Sequence, residues 1–242
     1  MTLSLSLCGA LIFGAAFLGG IIPLWVKPTS ENHLKLFISF GAGLLLSMAF
    51  LHMIPEAFKL IPKTFGIWLL TGFCLLLFLE RFIMVHACEE HGCHYHTLGI
   101  AAFLGLTIHG IIEGFALASS QLITNLGFLV LIAILSHKAP AGIALTSILK
   151  MSGKKNNQIL GFVCGVALSG PLGIFLAYWI LQSEDYQSVA GILLSISAGT
   201  FLYIGACDLL PEIHRTDGEK LKRLAAFCAG ILISVLSGHL LD

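Results

Sequence analysis

Long apolar stretches fill nearly the whole chain, and short polar segments separate them. A helix needs about 20 mainly apolar residues to cross a bilayer. Stretches of about this length recur at approximately 2–25, 34–57, 64–86, 97–120, 123–149, 157–181, 188–211 and 222–241. They are too long and too uniformly apolar for the alternating strands of an outer-membrane barrel. The pattern therefore predicts an all-α integral membrane protein with eight transmembrane helices.

Composition supports the same class. Hydrophobic residues make up 57% of the 242 residues and charged residues only 11%, which is more apolar than a soluble domain of this size. The polar connections are too short for a separate soluble domain, so residues 1–242 are expected to form a single transmembrane domain embedded in lipid. The first stretch lacks the basic n-region and the cleavage site of a signal peptide, and we expect it to be retained.

The basic residues predict the orientation. With eight spans, ten of the 13 Lys and Arg residues fall on one side of the membrane, while Lys59 and Lys63 fall on the other. Short cytoplasmic loops are enriched in Lys and Arg. The richer side is therefore expected to be cytoplasmic, with both termini in the extracytoplasmic space. The pattern is compatible with a multi-pass protein of a plasma or inner membrane and equally with one of an organelle membrane.

An internal similarity predicts the arrangement of the helices. Residues 40–56 (FGAGLLLSMAFLHMIPE) align without gaps on residues 196–212 (ISAGTFLYIGACDLLPE), with five identities that include the final Pro-Glu. The two segments lie an odd number of spans apart and so cross the membrane in opposite directions, as in an inverted repeat. The first three and last three spans are then counterparts around a central pair, giving a 3+2+3 inverted-repeat bundle.

The central pair carries ionisable residues at bilayer depth. His109 and Glu113 are four residues apart and share one helix face, and His137 lies about as deep in the next span. Such groups are costly in a membrane and often mark ion pathways. Imidazole with carboxylate suits Zn²⁺ and also Fe²⁺, Mn²⁺ or Co²⁺. The pattern predicts a metal transport site, although Glu113 could instead pair with Lys138.

Polar residues outside this pair suggest a path for the ion. His52 and Glu56 lie toward the outer end of the second span, and Asp208 and Glu212 toward the inner end of the seventh. They could form an entrance and an exit on opposite sides of the central site. The alternative is that Pro-Glu only ends each helix at the interface, where charged residues are common.

The segment 86–96 is rich in soft-metal ligands. It contains His86, Cys88, His91, Cys93, His94 and His96. The charge rule makes this segment cytosolic, and its spacing fits no single zinc-finger pattern. We expect a loose, exchangeable site that receives or senses metal, with an ordinary polar linker as the alternative, because such a tract is a compositional signal only.

Several of these motifs together resemble a known family. The chain is similar to the ZIP (Zrt-, Irt-like protein) divalent-metal transporters over essentially its whole length, and especially to the ZIP9-type branch. The motifs that carry the resemblance are His-x-x-x-Glu-Gly at 109–114, His-Lys-x-Pro at 137–140, Pro-Glu at 55–56 and 211–212, and the segments 136–141 and 197–203.

The resemblance implies a membrane homodimer that imports zinc, or a similar ion, toward the cytoplasm. It implies that His109, Glu113 and His137 bind the ion, that His52 lines the outer entrance, and that Asp208 and Glu212 line the release path. Neither an enzymatic activity, a resident cofactor nor a nucleic-acid partner is expected. The alternatives are an intramembrane zinc-dependent hydrolase and a metal sensor or receptor that does not transport.

Three positions depart from the two-metal pattern of the family. Gly110 replaces an Asn, and Lys138 and Ala141 replace acids, so oxygen ligands are lost. We therefore predict a single midplane site served by alternating access, in which the ammonium of Lys138 takes the place of the second ion.

Overall fold

The computed structural model describes residues 4–25, 31–79, 93–120, 126–180, 186–211 and 219–238. These residues are helical apart from short turns and contain no strand, which confirms the all-α prediction. The helical elements are α1 (Leu5–Trp25), α2 (Glu31–Met48), π1 (Ala49–Met53), α3 (Ile54–Leu60), α4 (Phe65–Phe78), α5 (Cys93–Ser120), α6 (Leu126–Met151), α7 (Asn156–Ile180), α8 (Tyr186–Leu202), π2 (Tyr203–Leu209) and α9 (Lys220–Gly238).

Many of these helices are long and apolar enough to cross a membrane. Among the described residues, six segments meet this requirement: Leu5–Trp25, Leu34–Leu60, Leu98–Ser119, Val130–Met151, Asn156–Ala177 and Gln187–Leu209. Helix α4 is apolar but shorter, and α9 begins with a basic first turn. The chain is thus a multi-pass membrane protein.

Two spanning helices contain a π-helical segment at corresponding places. Segment π1 continues α2 into α3, and π2 follows α8. Pro55 and Pro211 each lie two residues beyond the end of their π segment. A proline ring collides with the carbonyl four residues before it, which here belongs to Leu51 in π1 and Cys207 in π2. The wider turn relieves this collision, and it carries His52 in one helix and Asp208 in the other.

The helices pack most extensively in four pairs: α2 with α9, α4 with α8, α1 with α6, and α5 with α7. Glycine permits the close approach within these pairs. A Cβ at Gly43 of α2 would lie 2.0 Å from the Phe227 carbonyl oxygen of α9, and one at Gly199 of α8 would lie 2.1 Å from the Leu69 carbonyl oxygen of α4. The main hydrophobic core lies among α2, α5, α6, α7 and α8.

Candidate metal site

The structure brings His109, Glu113 and His137 together between α5 and α6. One ligand atom from each of the three residues lies within 4.8 Å of the others. Each residue is only 6% exposed, and the two imidazole ring centroids are 5.9 Å apart. The i and i+4 spacing turns His109 and Glu113 to the same face of α5, and α6 supplies the third ligand from the side.

Glu113 uses its two carboxylate oxygens differently. Oε1 lies between the imidazoles, 3.0 Å from His109 Nε2 and hydrogen bonded with His137 Nε2. Oε2 accepts a hydrogen bond from the ammonium of Lys138, which is also buried. The ion pair with Lys138, which the sequence left open as an alternative, is therefore present beside the imidazole cluster.

The atoms that face the centre of the cluster are suited to hold an ion. His109 Nε2 makes no hydrogen bond within the part of the chain that the structure describes, although it lies near Oε1. Two imidazole nitrogens and one carboxylate oxygen form a donor set that zinc accepts, with a further position left for water. The site adjoins a cavity of about 10 Å³, which is about the space of one water molecule.

A single apolar layer closes this cavity on the side of α2. Its lining includes Leu44, Leu45 and Met48 from α2, together with Phe201 from α8. These four residues are all buried. An ion that moves between the cluster and α2 must therefore displace apolar side chains, so the conformation described here is closed on that side.

The three departures from the two-metal pattern lie next to one another. A Cβ at Gly110 would lie 1.9 Å from Ser169 Oγ and 3.0 Å from Lys138 Nζ. Ala141 and Lys138 both line the cavity. The space that a side chain at position 110 would need is therefore occupied by Ser169 and Lys138, so the three substitutions are linked sterically.

Helix α8 contributes two residues around His109 that the sequence did not identify as functional. Ser197 Oγ lies 3.3 Å from His109 Nδ1, and the ring centroid of Phe201 lies 4.4 Å from that of His109. Both residues fall in the segment 197–203 that carried part of the family resemblance. That segment was a usable signal, but a sequence does not reveal which face of one helix meets a side chain on another.

The four residues predicted to line the ion path do not join the cluster. His52 Nε2 lies 2.9 Å from the Ser234 carbonyl oxygen of α9. Asp208 is buried on π2, and Glu56 pairs at the surface with Lys59 at 3.0 Å. Glu212 lies outside the described residues. Their role in the path stays a prediction.

The predicted cytosolic metal tract is only partly covered. Helix α5 begins at Cys93, four residues before the predicted span, so Cys93, His94 and His96 belong to its first turns. Apolar periodicity missed this start because the first helical residues are polar; Gly92, a poor helix former, directly precedes them. His86, Cys88 and His91 lie outside the described residues, and metal binding by this tract stays a prediction.

Comparison with known proteins agrees with the resemblance seen in the sequence. A family model described as ZIP Zinc transporter matches residues 84–238. Zinc transporter ZIP13 of Pongo abelii is 29% identical, over 98% of this chain and 79% of the relative. Zinc transporter ZIP9-B of Xenopus laevis is 28% identical, over 95% of this chain and 94% of the relative. Similarity to the ZIP9-type branch is thus confirmed.

Proposed function

Because the chain belongs to the ZIP family of zinc transporters, we propose that it carries divalent metal ions, above all zinc, across a lipid bilayer. The observation that carries this proposal is the convergence of two imidazoles and a carboxylate inside the helix bundle. An ion that sheds water on entering a membrane needs replacement ligands there. Imidazole and carboxylate suit zinc, and also iron, manganese or cobalt ions.

Transport fits the chain better than catalysis does. The relatives that it matches are zinc transporters and not enzymes. A hydrolase would need a third protein ligand on its zinc and a water-fed position. His52, the remaining histidine considered for that role, directs its Nε2 to the Ser234 carbonyl oxygen of α9 instead. The hydrolase alternative is therefore not favoured.

A single transport site accounts for the surroundings of Glu113. His109 Nε2, His137 Nε2 and Glu113 Oε1 would hold the ion, while Lys138 stays on Oε2. The ammonium already neutralises part of the carboxylate charge, so it repels a second cation and weakens the hold on the first. Binding that is favourable but not tight suits transport, because the ion must also leave.

The packing of the helices supports a 3+2+3 inverted-repeat arrangement. An exchange of α1 with α7, α2 with α8, α4 with α9 and α5 with α6 turns each of the four main packing pairs into another one. The aligned residues Gly43 and Gly199 both touch a backbone carbonyl of the third helix in their own half. Segments π1 and π2 end at the aligned residues Met53 and Leu209.

This symmetry supports alternating access. Movement of one bundle against the other would open the central site first to one side and then to the other. We place His52 and Glu56 at the outer entrance and Asp208 and Glu212 at the cytoplasmic exit, with both termini extracytoplasmic. Transport is then directed toward the cytoplasm, and the working unit is a homodimer, as the family resemblance implies.

Zinc flux into proteoliposomes tests the proposed function. Liposomes that contain the purified protein and a zinc-sensitive dye should fill with zinc faster than protein-free liposomes. A metal sensor or a hydrolase would give no flux above that control. Competition by excess iron, manganese or cobalt ions, added singly to the outside, then ranks the metals. Zinc entry at the rate of empty liposomes would contradict the proposal.

A further inference from the structure

Helix α8 reaches the ion site through one hydroxyl group. Ser197 Oγ lies 3.3 Å from His109 Nδ1, the ring nitrogen on the far side from Glu113. The Ser197 side chain has no exposed surface, so water does not compete for this contact. One turn further along α8, Phe201 packs against the same imidazole ring. His109 is thus held by a helix that provides no ligand of its own.

The direction of this hydroxyl is unusual among its neighbours. Ser195 donates to the Gly191 carbonyl oxygen at 2.7 Å, and Thr200 donates to the Ser197 carbonyl oxygen at 2.8 Å. Both bonds stay within α8, as is common for hydroxyl groups in helices. The Ser197 hydroxyl instead reaches across to α5, where it meets the second nitrogen of a proposed ligand.

The chemistry of imidazole ligands gives this contact a role. An imidazole that binds a metal through Nε2 carries its proton on Nδ1, and that N–H needs an acceptor when it is buried. A serine oxygen can accept it. In His137 the corresponding Nδ1 has no hydrogen-bond partner among the described residues. Of the two imidazoles, His109 is therefore the one that is fixed in orientation.

We propose that Ser197 is a positioning residue of the transport site: its oxygen accepts the Nδ1 proton of His109 and so presents Nε2 to the ion. This inference rests on the proposed function. It also makes the affinity for the ion depend on α8, which continues into π2 and Asp208. A shift of α8 relative to α5 would remove the acceptor and weaken binding, which links ion release to helix movement.

Equilibrium zinc binding to the detergent-purified protein tests the proposal. Ser197→Ala should weaken zinc binding about tenfold or more, the usual effect of losing such a supporting hydrogen bond. Ser195→Ala is the matched control, because it removes a buried hydroxyl from the same helix without touching His109; its affinity should equal that of the wild type. Zinc uptake by Ser197→Ala should be half-saturated at a correspondingly higher zinc concentration.

A second pair of variants separates the hydrogen bond from packing. Ser197→Thr and Ser197→Val have nearly the same shape, and only threonine keeps the hydroxyl. Threonine should bind zinc about tenfold more tightly than valine. Equal affinities for the two variants, or wild-type affinity in Ser197→Ala, would overturn the role of Ser197. Failure of the wild type itself to bind zinc would instead contradict the proposed function, so the two outcomes can be told apart.

Discussion

At the scale of single residues, the site depends on how one carboxylate is shared. Glu113 faces two imidazoles with Oε1 and an ammonium with Oε2. The ion-free cluster is therefore not an uncompensated charge in the membrane. The pairing with Lys138 and the binding of metal are two uses of opposite oxygens of the same group, and they do not exclude each other.

Removal of the Lys138 charge is expected to tighten zinc binding. In Lys138→Met the buried carboxylate loses its cation, so a bound zinc ion becomes its main counter-charge. We expect zinc affinity to rise by about tenfold or more, or about 1.4 kcal/mol. Isothermal titration calorimetry on the purified protein measures this directly. The wild type should bind one ion per site; two ions at the central site, or weaker binding in Lys138→Met, would contradict the single-site proposal.

A side chain at position 110 is expected to be harmful because Ser169 occupies its space. In Gly110→Ala the new Cβ meets Ser169 Oγ at 1.9 Å, and such overpacking destabilises by about 1–3 kcal/mol. Thermal unfolding in detergent should show the loss. Gly161→Ala is the control, since a Cβ there meets nothing within 4 Å.

A second substitution should reverse this effect. Gly110→Ala combined with Ser169→Gly removes the colliding atoms and should recover stability relative to Gly110→Ala alone. If the double variant is no more stable than the sum of the single effects predicts, the collision is not the cause.

Protons should compete with the transported ion. A protonated imidazole cannot bind metal, and the ordinary imidazole pKa of about 6.5 lies within the accessible range. Zinc uptake is therefore expected to fall as the pH is lowered from about 7.5 to about 5.5. Protein-free liposomes with a zinc ionophore provide the control for dye response and free zinc. Uptake that stays constant over this range would argue against imidazole ligands.

The sequence predicted part of this site. The spacing of His109 and Glu113 fixed their common face, because helix geometry is local. The contributions of Ser169 and Ser197 were not predictable, since each depends on which face of a distant helix meets α5. A buried serine in an apolar run otherwise has the same sequence signature as one that bonds its own backbone, such as Ser195.

At the scale of elements, the two π segments are the features that apolar periodicity did not indicate. Both occur where a proline follows closely in a spanning helix, at Pro55 and Pro211. The aligned Pro-Glu motif was visible in the sequence, but it was read as a helix end. The helices instead absorb each proline by widening one turn, and this turn sets the direction of His52 and Asp208.

Loss of one such proline is expected to impair transport more than binding. In Pro211→Ala the collision with the Cys207 carbonyl disappears, so π2 can return to α-helix; one residue of register turns a helix face by about 100°. Asp208 would then point elsewhere, while the central ligands stay on α5 and α6. Zinc uptake should fall several-fold, with zinc affinity within about twofold of the wild type.

The matched control for this variant is Pro62→Ala, which lies in the exposed turn between α3 and α4. It should transport zinc like the wild type. If Pro211→Ala transports zinc as well as Pro62→Ala does, then π2 has no part in the release path.

At the scale of the whole molecule, the repeat links sequence to architecture. The alignment of 40–56 with 196–212 predicted that two helices are equivalent. It did not predict their packing partners, α9 for α2 and α4 for α8, because contacts between distant helices depend on shape. Gly43 and Gly199 explain the choice after the fact: each lacks a Cβ where a neighbouring backbone carbonyl comes close.

The most direct measurement is zinc uptake into proteoliposomes by Glu113→Gln beside the wild type, with Glu219→Gln as the control. Glu113 contributes the one carboxylate of the cluster, whereas Glu219 is paired at the surface with Lys222. Both variants should be incorporated to the same density. We expect Glu219→Gln to retain the wild-type rate and Glu113→Gln to fall close to the rate of empty liposomes. Wild-type uptake by Glu113→Gln would contradict transport through the His109, Glu113 and His137 site.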